Sequence, residues 1–238
     1  MTHIQCSGRL SLEKRLGEEA PALINLAKPL QISLRKNRLE DCQAKVGLAI
    51  DSSRSMYDSY ANGVVQQIIN KILPLAVQFD DDGELDLWYY GTHCRSMPSV
   101  NLRNYQSAVP SRPGELHIGM GNNEPLQMRE VIRNYSSSEL PVYIVIISDG
   151  GIHQDKEIAN LLISSSKLPI FWQFVGVGGK DYGILEHFDS LQGRVLDNCN
   201  FFALDDFRTV SNDVLYERLL QEFPLWLKEA KKLGIVKQ

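Results

Sequence analysis

Residues 46–56 read VGLAIDSSRSM, an apolar run that ends abruptly at Asp51 and continues with hydroxyl side chains at Ser53 and Ser55. The run is short, apolar and bounded by polar residues, which predicts a buried β-strand. A buried strand that ends in a carboxylate places that group at the carboxyl edge of its sheet, where open α/β sheets bind ligands. The loop after this strand therefore offers oxygen ligands of the kind that hard cations such as magnesium prefer.

The composition predicts a folded globular protein. Hydrophobic residues make up 43% of the 238-residue chain, which is enough for a sizeable core. The net charge of −4 disfavours a dedicated nucleic-acid binder, because such proteins usually present a basic face. Solubility alone also accounts for a charge of this size.

Cysteine usage and the N-terminal sequence predict a cytoplasmic location. The four cysteines are far apart and form no CxxC pair, as expected for buried thiols of a cytosolic protein. The N-terminal segment is polar and lacks the apolar core of a signal peptide. No apolar run approaches the ~20 residues of a membrane span.

Apolar strands alternate with amphipathic helices along the chain. Strands are predicted near residues 44–50, 85–90, 93–97, 142–147, 170–177 and 200–204, and helices near residues 21–36, 64–79, 125–135, 156–165, 184–191 and 214–233. Pro29 and Pro224 lie within the first and last of these helices and predict a kink, a late start or a break. The alternation predicts an α/β fold: a doubly wound, mainly parallel sheet flanked by helices, with one antiparallel edge strand.

The chain is predicted to form one domain that follows a short arm. Residues 1–20 are polar and irregular in pattern, which predicts an N-terminal arm. Residues 21–238 contain no internal repeat and no convincing linker, so they are assigned to a single domain.

A second predicted strand also runs into an aspartate. The strand at residues 142–147 is strongly apolar and is followed by Ser148, Asp149 and Gly150. The carboxyl ends of parallel strands can lie side by side, and two carboxylates there repel each other unless a cation or a proton separates them. Asp149 therefore joins Asp51 as a candidate metal ligand. A simpler interpretation also fits, in which both aspartates cap helices and the serines are turn residues.

Residues 51–55, Asp-Ser-Ser-Arg-Ser, resemble the D-x-S-x-S metal-ion-dependent adhesion site (MIDAS) of von Willebrand factor type A (vWA) domains. Asp149 with Gly150, after an apolar strand, resembles the later aspartate motif of that family. The flanking sequence is similar to bacterial vWA proteins of the tellurium-resistance TerF/TerY-like group, through the lead-in helix and residues 45–56 and 119–125. The resemblance spans most of residues 21–230 and implies a vWA-like, Rossmann-like domain.

The middle loop departs from the family pattern. The family places a threonine there, whereas residues 121–125 of this chain read Gly-Asn-Asn-Glu-Pro. The resemblance implies that Asn122 takes the threonine position, where its amide oxygen can coordinate a hard cation. Arg54 stands where glycine is common in the family. Its guanidinium can weaken cation binding by repulsion, grip an anionic ligand, or point into solvent.

The resemblance implies a binding module rather than an enzyme. It assigns a divalent cation, Mg²⁺ or alternatively Mn²⁺ or Ca²⁺, to five residues: Asp51, Ser53, Ser55, Asn122 and Asp149. A carboxylate from a protein partner would complete the coordination, and the family implies a role in a bacterial stress-response or tellurium-resistance complex. Two alternatives stay open: a metal-dependent phosphohydrolase that uses the same sheet edge, and a degenerate vWA domain that binds partners without a metal.

Overall fold

The computed structural model describes residues 11–237, without the side chains of residues 189 and 190. The strands are β1 (Lys45–Asp51), β2 (Leu85–Tyr90), β3 (Cys94–Val100), β4 (Val142–Gly150), β5 (Ile170–Lys180) and β6 (Cys199–Leu204). The helices are α1 (Leu12–Glu19), α2 (Ala27–Lys36), α3 (Tyr57–Ala61), α4 (Val64–Phe79), α5 (Glu124–Tyr135), α6 (Asp155–Ser165), α7 (Asn212–Leu220) and α8 (Phe223–Lys232). Within the described residues, none of these helices combines the length and the apolar character that a bilayer crossing requires.

All six strands belong to one sheet, in the order β3-β2-β1-β4-β5-β6. β1 pairs in parallel with β2 and β4, and β5 pairs in parallel with β4 and β6. β3 is antiparallel to β2 and forms one edge of the sheet. The predicted fold class, a mainly parallel sheet with one antiparallel edge strand, is confirmed.

Helices cover both faces of the sheet, and this explains why the central strands are apolar at almost every position. On β4, Val145 and Ile147 pack into the core cluster that includes α4, α7 and α8. Ile144 and Ile146 pack into the cluster that includes α5 and α6. Because successive side chains of a strand point to opposite faces, both alternating sets must be apolar.

Proline accounts for both predicted helix interruptions. Pro29 is the third residue of α2 and cannot donate a backbone hydrogen bond to the preceding turn. The helix therefore starts late, at Ala27, after a 3-10 segment, Pro21–Leu26. The predicted C-terminal helix is divided into α7 and α8, with Pro224 in the first turn of α8, where its missing amide hydrogen costs nothing. The helix predicted at residues 184–191 is instead a 3-10 segment, Gly183–Ser190, because the backbone of His187 is not helical.

The prediction of an irregular arm is wrong for residues 12–19, which form helix α1. Leu12 and Leu16 are 3% and 0% exposed, and they lie one helical turn apart on the same face. That face joins the main core, and Arg15 donates a hydrogen bond to the carbonyl of Val77 in α4 at 2.9 Å. The remainder of the predicted arm, residues 1–10, lies outside the described residues.

Truncating Leu16 should test whether α1 is an integral part of the domain. We expect Leu16→Ala to lower the free energy of unfolding by about 2 kcal/mol, because it leaves a cavity under a fully buried position. Urea denaturation measures the effect. Glu18→Ala, on the exposed face of the same helix, is the matched control and should change stability by less than about 0.5 kcal/mol. Equal stability of the two variants would contradict the packed position of α1.

Candidate metal centre

The two candidate aspartates lie where the strand order of the sheet reverses. From β1 the sheet extends through β2 to β3 on one side, and from β4 it extends through β5 to β6 on the other. Asp51 is the last residue of β1, and Asp149 is the last residue but one of β4. Open α/β sheets bind ligands at such a switch point, in the crevice outside the carboxyl ends of the strands.

A continuous chain of hydrogen bonds connects four of the predicted site residues. The Ser53 amide donates to Oδ1 of Asp51 at 2.7 Å. The hydroxyls of Ser53 and Ser55 share a hydrogen bond of 3.0 Å, and Ser55 donates to Oδ1 of Asp149 at 3.0 Å. The D-x-S-x-S spacing therefore places the side chains between the two strand ends, as the sequence predicts.

The fifth predicted residue, Asn122, lies against the same edge of the sheet. Its Nδ2 donates to the carbonyls of Gly150 and Gly151, at 3.0 and 3.4 Å. The loop before it is also attached to the first loop, because the Arg54 amide donates to the carbonyl of Met120 at 3.1 Å. The structure therefore brings together all five residues, although it assigns no metal to them.

Buried hydroxyl groups hold the backbone around Asp51 in place. The Ser52 and Tyr60 hydroxyls lie 2.6 Å apart, and Tyr60 also donates to the carbonyl of Asp51 at 3.2 Å. The Ser52 amide donates to the carbonyl of Tyr90, at the end of the neighbouring strand β2, at 2.7 Å. Because Tyr60 belongs to α3, this short helix helps to fix the end of β1.

The simpler capping interpretation accounts for only part of the site. Oδ1 of Asp51 does stabilise the turn at Ser53, as a turn aspartate would. Its Oδ2, however, is buried and has no hydrogen-bond partner within residues 11–237. Asp149 does not cap α6, whose N-cap is Gln154. A role limited to capping therefore leaves an oxygen of Asp51 and the position of Asp149 unexplained.

Glycines allow the end of β4 to lie very close to β5 around Asp149. The register between the two strands shifts between Ser148 and Gly150, so that Asp149 lies in a bulge. Gly150 has a φ of +104°, and a Cβ atom built on Gly179 would lie 1.4 Å from the carbonyl oxygen of Asp149. The glycine-rich end of β5 therefore serves this close backbone approach.

Burial makes both aspartates reluctant to ionise in the protein alone. Burial raises the pKa of Asp51 to about 8; the hydrogen bond from the Ser53 amide opposes the shift, and the charge of Asp149 adds to it. Burial also raises the pKa of Asp149, against the hydrogen bond from Ser55. At both aspartates, burial outweighs the hydrogen bonds that favour the ionised form, so the pKa of each is raised.

Sequence reasoning missed one acidic residue of this region, Glu124. It is the first residue of α5 and is 1% exposed. Burial raises its pKa to about 7, while hydrogen bonds from its own backbone amide and from Asn122 lower it and the charge of Asp149 raises it. In the sequence, a glutamate before Pro125 is an ordinary start of a helix, so only its burial singles it out.

Three buried side-chain oxygens of the site have no hydrogen-bond partner within the described residues: Asp51 Oδ2, Asn122 Oδ1 and Glu124 Oε1. Buried acceptors of this kind are costly unless something pairs with them. A hard cation with its water molecules fits such an oxygen set. Across residues 11–237, no group of three or more His, Cys, Asp or Glu side chains could by itself hold a metal. Hydroxyl, amide and water oxygens would therefore have to supply the remaining ligands.

One side of the site is open to solvent. Asp51 is fully buried, Asp149 is half-buried and Ser55 is exposed, so accessibility increases from the sheet outward. A cleft of about 250 Å³ opens beside them and is lined in part by Ser55 and Asp149. Arg54 is exposed, in agreement with the expectation that its side chain can point into solvent.

A family model described as "vWA found in TerF C terminus" matches residues 43–236. The chain belongs to this TerF-like vWA family. The assignment confirms the expected family and places α1 and α2, which precede residue 43, outside the matched segment. The TerF-like vWA domain contains every candidate ligand identified from the sequence.

This TerF-like vWA domain is similar to a curated protein in sequence and to solved structures in fold. It is 41% identical over 217 residues to the uncharacterized protein YcbR of Bacillus subtilis (strain 168), covering 89% of this chain and 88% of that protein. The solved structure of BatB from Bacteroides thetaiotaomicron matches with a TM-score of 0.55 and 15% identity, covering 78% of this chain and 99% of that chain.

Proximal thread matrix protein 1 from the mussel byssus, solved with a zinc-occupied MIDAS motif, matches with a TM-score of 0.52 and 13% identity. The match covers 75% of this chain and 47% of that chain. At such identities the solved structures share the fold alone.

Proposed function

We propose that this protein is a cation-dependent protein-binding module with a MIDAS-type site. The observation that carries the proposal is Oδ2 of Asp51, a fully buried carboxylate oxygen without a protein partner in the described residues, at the switch point of the sheet. The proposed ligands, directly or through water, are those predicted from the sequence: Asp51, Ser53, Ser55, Asn122 and Asp149. Mg²⁺ is the proposed cation, with Mn²⁺ or Ca²⁺ as alternatives.

The partner in this proposal is a protein that presents an aspartate or glutamate. A bound cation would supply a positive charge that attracts this carboxylate. Ser55 is exposed and Asp149 is half-buried, so the incoming group has access from the solvent side. The family name suggests a bacterial tellurium-resistance or stress-response complex as the setting, in the cytoplasm. The proposal is binding rather than catalysis.

Thermal melts with and without cation test the proposal. We expect Mg²⁺ or Mn²⁺, at about 100 times its Kd, to stabilise the wild type by about 2.7 kcal/mol, or roughly 5–10 °C in Tm. Asp51→Ala should lose this shift, because it removes the buried carboxylate. Asp213→Ala, at an exposed aspartate of α7 that does not line the cleft, is the control and should keep it.

Two outcomes would contradict a cation site. One is a wild-type Tm that does not respond to any of the three cations. The other is an equal shift in the wild type and in Asp51→Ala. Partner binding that persists in a metal chelator would instead support the metal-free vWA interaction domain. Magnesium-dependent phosphatase activity that Asp51→Asn abolishes would support the phosphohydrolase.

A further inference from the structure

The carboxyl group of Glu124 is buried, and one of its oxygens accepts no hydrogen bond from the described residues. The Glu124 side chain is 1% exposed, and Oε1 is buried without a hydrogen-bond partner within residues 11–237. A buried carboxylate that lacks a cation or a full set of donors costs stability, so a carboxyl group at this buried position calls for a compensating interaction.

Helix capping does not supply that interaction. The N-cap of α5 is Asn123, whose Oδ1 accepts a hydrogen bond from the Leu126 amide at 3.2 Å. Pro125 has no amide hydrogen, which leaves fewer free donors in the first turn. Asn123 therefore caps α5, and the Glu124 carboxyl group adds only a hydrogen bond from its own backbone amide, which still leaves Oε1 without a partner in the described residues.

The neighbourhood of Glu124 is acidic and belongs to the candidate metal centre. Glu124 interacts electrostatically with both Asp51 and Asp149. The hydroxyl of Tyr90, buried at the end of β2, interacts with all three of these carboxyl groups. The Glu124 carboxyl group therefore lies within electrostatic range of both aspartates of the candidate metal centre.

We propose that Glu124 is an outer-shell residue of the cation site, which accepts a hydrogen bond from a water molecule on the cation. This inference rests on the proposed cation site. An outer-shell position agrees with the finding that no three acidic side chains of the described residues form a metal site by themselves. It also suits Mg²⁺ and Mn²⁺, because Mg²⁺ in particular keeps several of its waters when a protein binds it.

The outer-shell carboxylate also changes the charge of the site. If a bound cation ionises all three carboxyl groups, those of Asp51, Asp149 and Glu124, their charge exceeds that of one divalent cation by one unit. Glu124 therefore strengthens cation binding in the absence of a partner, and it weakens the pull of the bound cation on an incoming acidic group. Glu124 is thus a positioning residue that acts through water.

Calorimetric titration of the full chain with Mn²⁺ tests this role. Glu124→Gln keeps the shape of the side chain and removes its charge, and we expect it to weaken Mn²⁺ binding by roughly 10–100-fold, as outer-shell substitutions do. Glu130→Gln, on the same helix and beside Arg133, is the matched control and should bind like the wild type. The melting temperature without metal should not fall in Glu124→Gln, because the variant relieves a buried charge.

The outcomes separate this inference from the proposed function. If the wild type binds Mn²⁺ and Glu124→Gln binds it equally well, the outer-shell role is wrong and the cation site stands. If the wild type binds no cation, both are wrong. A lower melting temperature without metal, together with unchanged affinity, would show that Glu124 is structural only and would also overturn the role.

Discussion

In metal-free buffer at pH 8, Asp51→Asn should be more stable than the wild type by on the order of 3 kcal/mol. The pKa of Asp51 is raised to about 8 from an ordinary value of 3.8, mainly by burial. Between these two pH values the folded state keeps a proton that the unfolded state has released. The stabilising contribution of the protonated group is complete below about pH 4 and is lost as the pH rises through about 8. The asparagine side chain of the variant has no ionisable proton and avoids this loss.

Urea denaturation in a metal chelator, at pH 5 and at pH 8, measures the effect. The gap between Asp51→Asn and the wild type should be small at pH 5 and large at pH 8. Asp58→Asn, at an exposed position near the site, is the control and should follow the wild type at both values. A wild type and an Asp51→Asn variant that lose stability in parallel from pH 5 to pH 8 would contradict the cost of burying this charge.

Added cation should narrow the difference in stability between the two proteins. With Mg²⁺ at pH 8, the wild type should gain stability, because the proposed cation would bind the ionised carboxylate of the folded state only. Asp51→Asn should gain little, since a neutral amide is a weaker ligand. The same substitution is thus expected to stabilise the protein without metal and to abolish its response to metal.

Gly179→Ala should destabilise the domain by about 3 kcal/mol or more and should weaken cation binding as well. The new Cβ atom would lie 1.4 Å from the carbonyl oxygen and 2.3 Å from the carbonyl carbon of Asp149. Both are backbone atoms, so a side-chain rotation cannot relieve the clash and the bulge of β4 must move. Because Asp149 sits in that bulge, its carboxylate would leave its position beside Ser55.

Urea denaturation and the Mg²⁺-induced shift in Tm, measured on the same preparations, check this prediction. Gly114→Ala is the matched control, since a Cβ atom there has nothing within 4 Å. It should leave both quantities close to those of the wild type. A Gly179→Ala protein with wild-type stability and a full response to Mg²⁺ would contradict the packing of β5 against Asp149.

Helix α1 could not be predicted from the pattern of its residues. In α1, only Leu12 and Leu16 are buried, among eight residues that are otherwise mainly polar or charged. Two leucines one turn apart are too weak a signal to predict a helix, because short isolated helices are marginal without tertiary contacts. Packing against the core and the hydrogen bond from Arg15 to α4 stabilise this helix, and that hydrogen bond spans 62 positions of the sequence.

Glu124 illustrates the same limit at the candidate site. Asp51, Ser53, Ser55 and Asp149 follow apolar strands, and the ends of parallel strands are brought together by the sheet itself. Asn122 could be identified as a candidate ligand only through the resemblance to the vWA family. Glu124 has neither signal, since a glutamate at the start of a helix is common on protein surfaces. Its burial depends on how the loop before α5 folds over the sheet.

The fold class and the two strand ends that carry Asp51 and Asp149 could be predicted from the residues alone. Apolar strands alternating with amphipathic helices have few ways to bury their faces other than a mainly parallel sheet covered on both sides. Which side-chain oxygens lack partners in the described residues depends on the folded arrangement, because contacts between distant segments set burial and hydrogen bonding. The orphaned oxygens of Asp51, Asn122 and Glu124 come from β1, from the loop before α5 and from α5 itself, and they define the candidate centre more narrowly than the motif does.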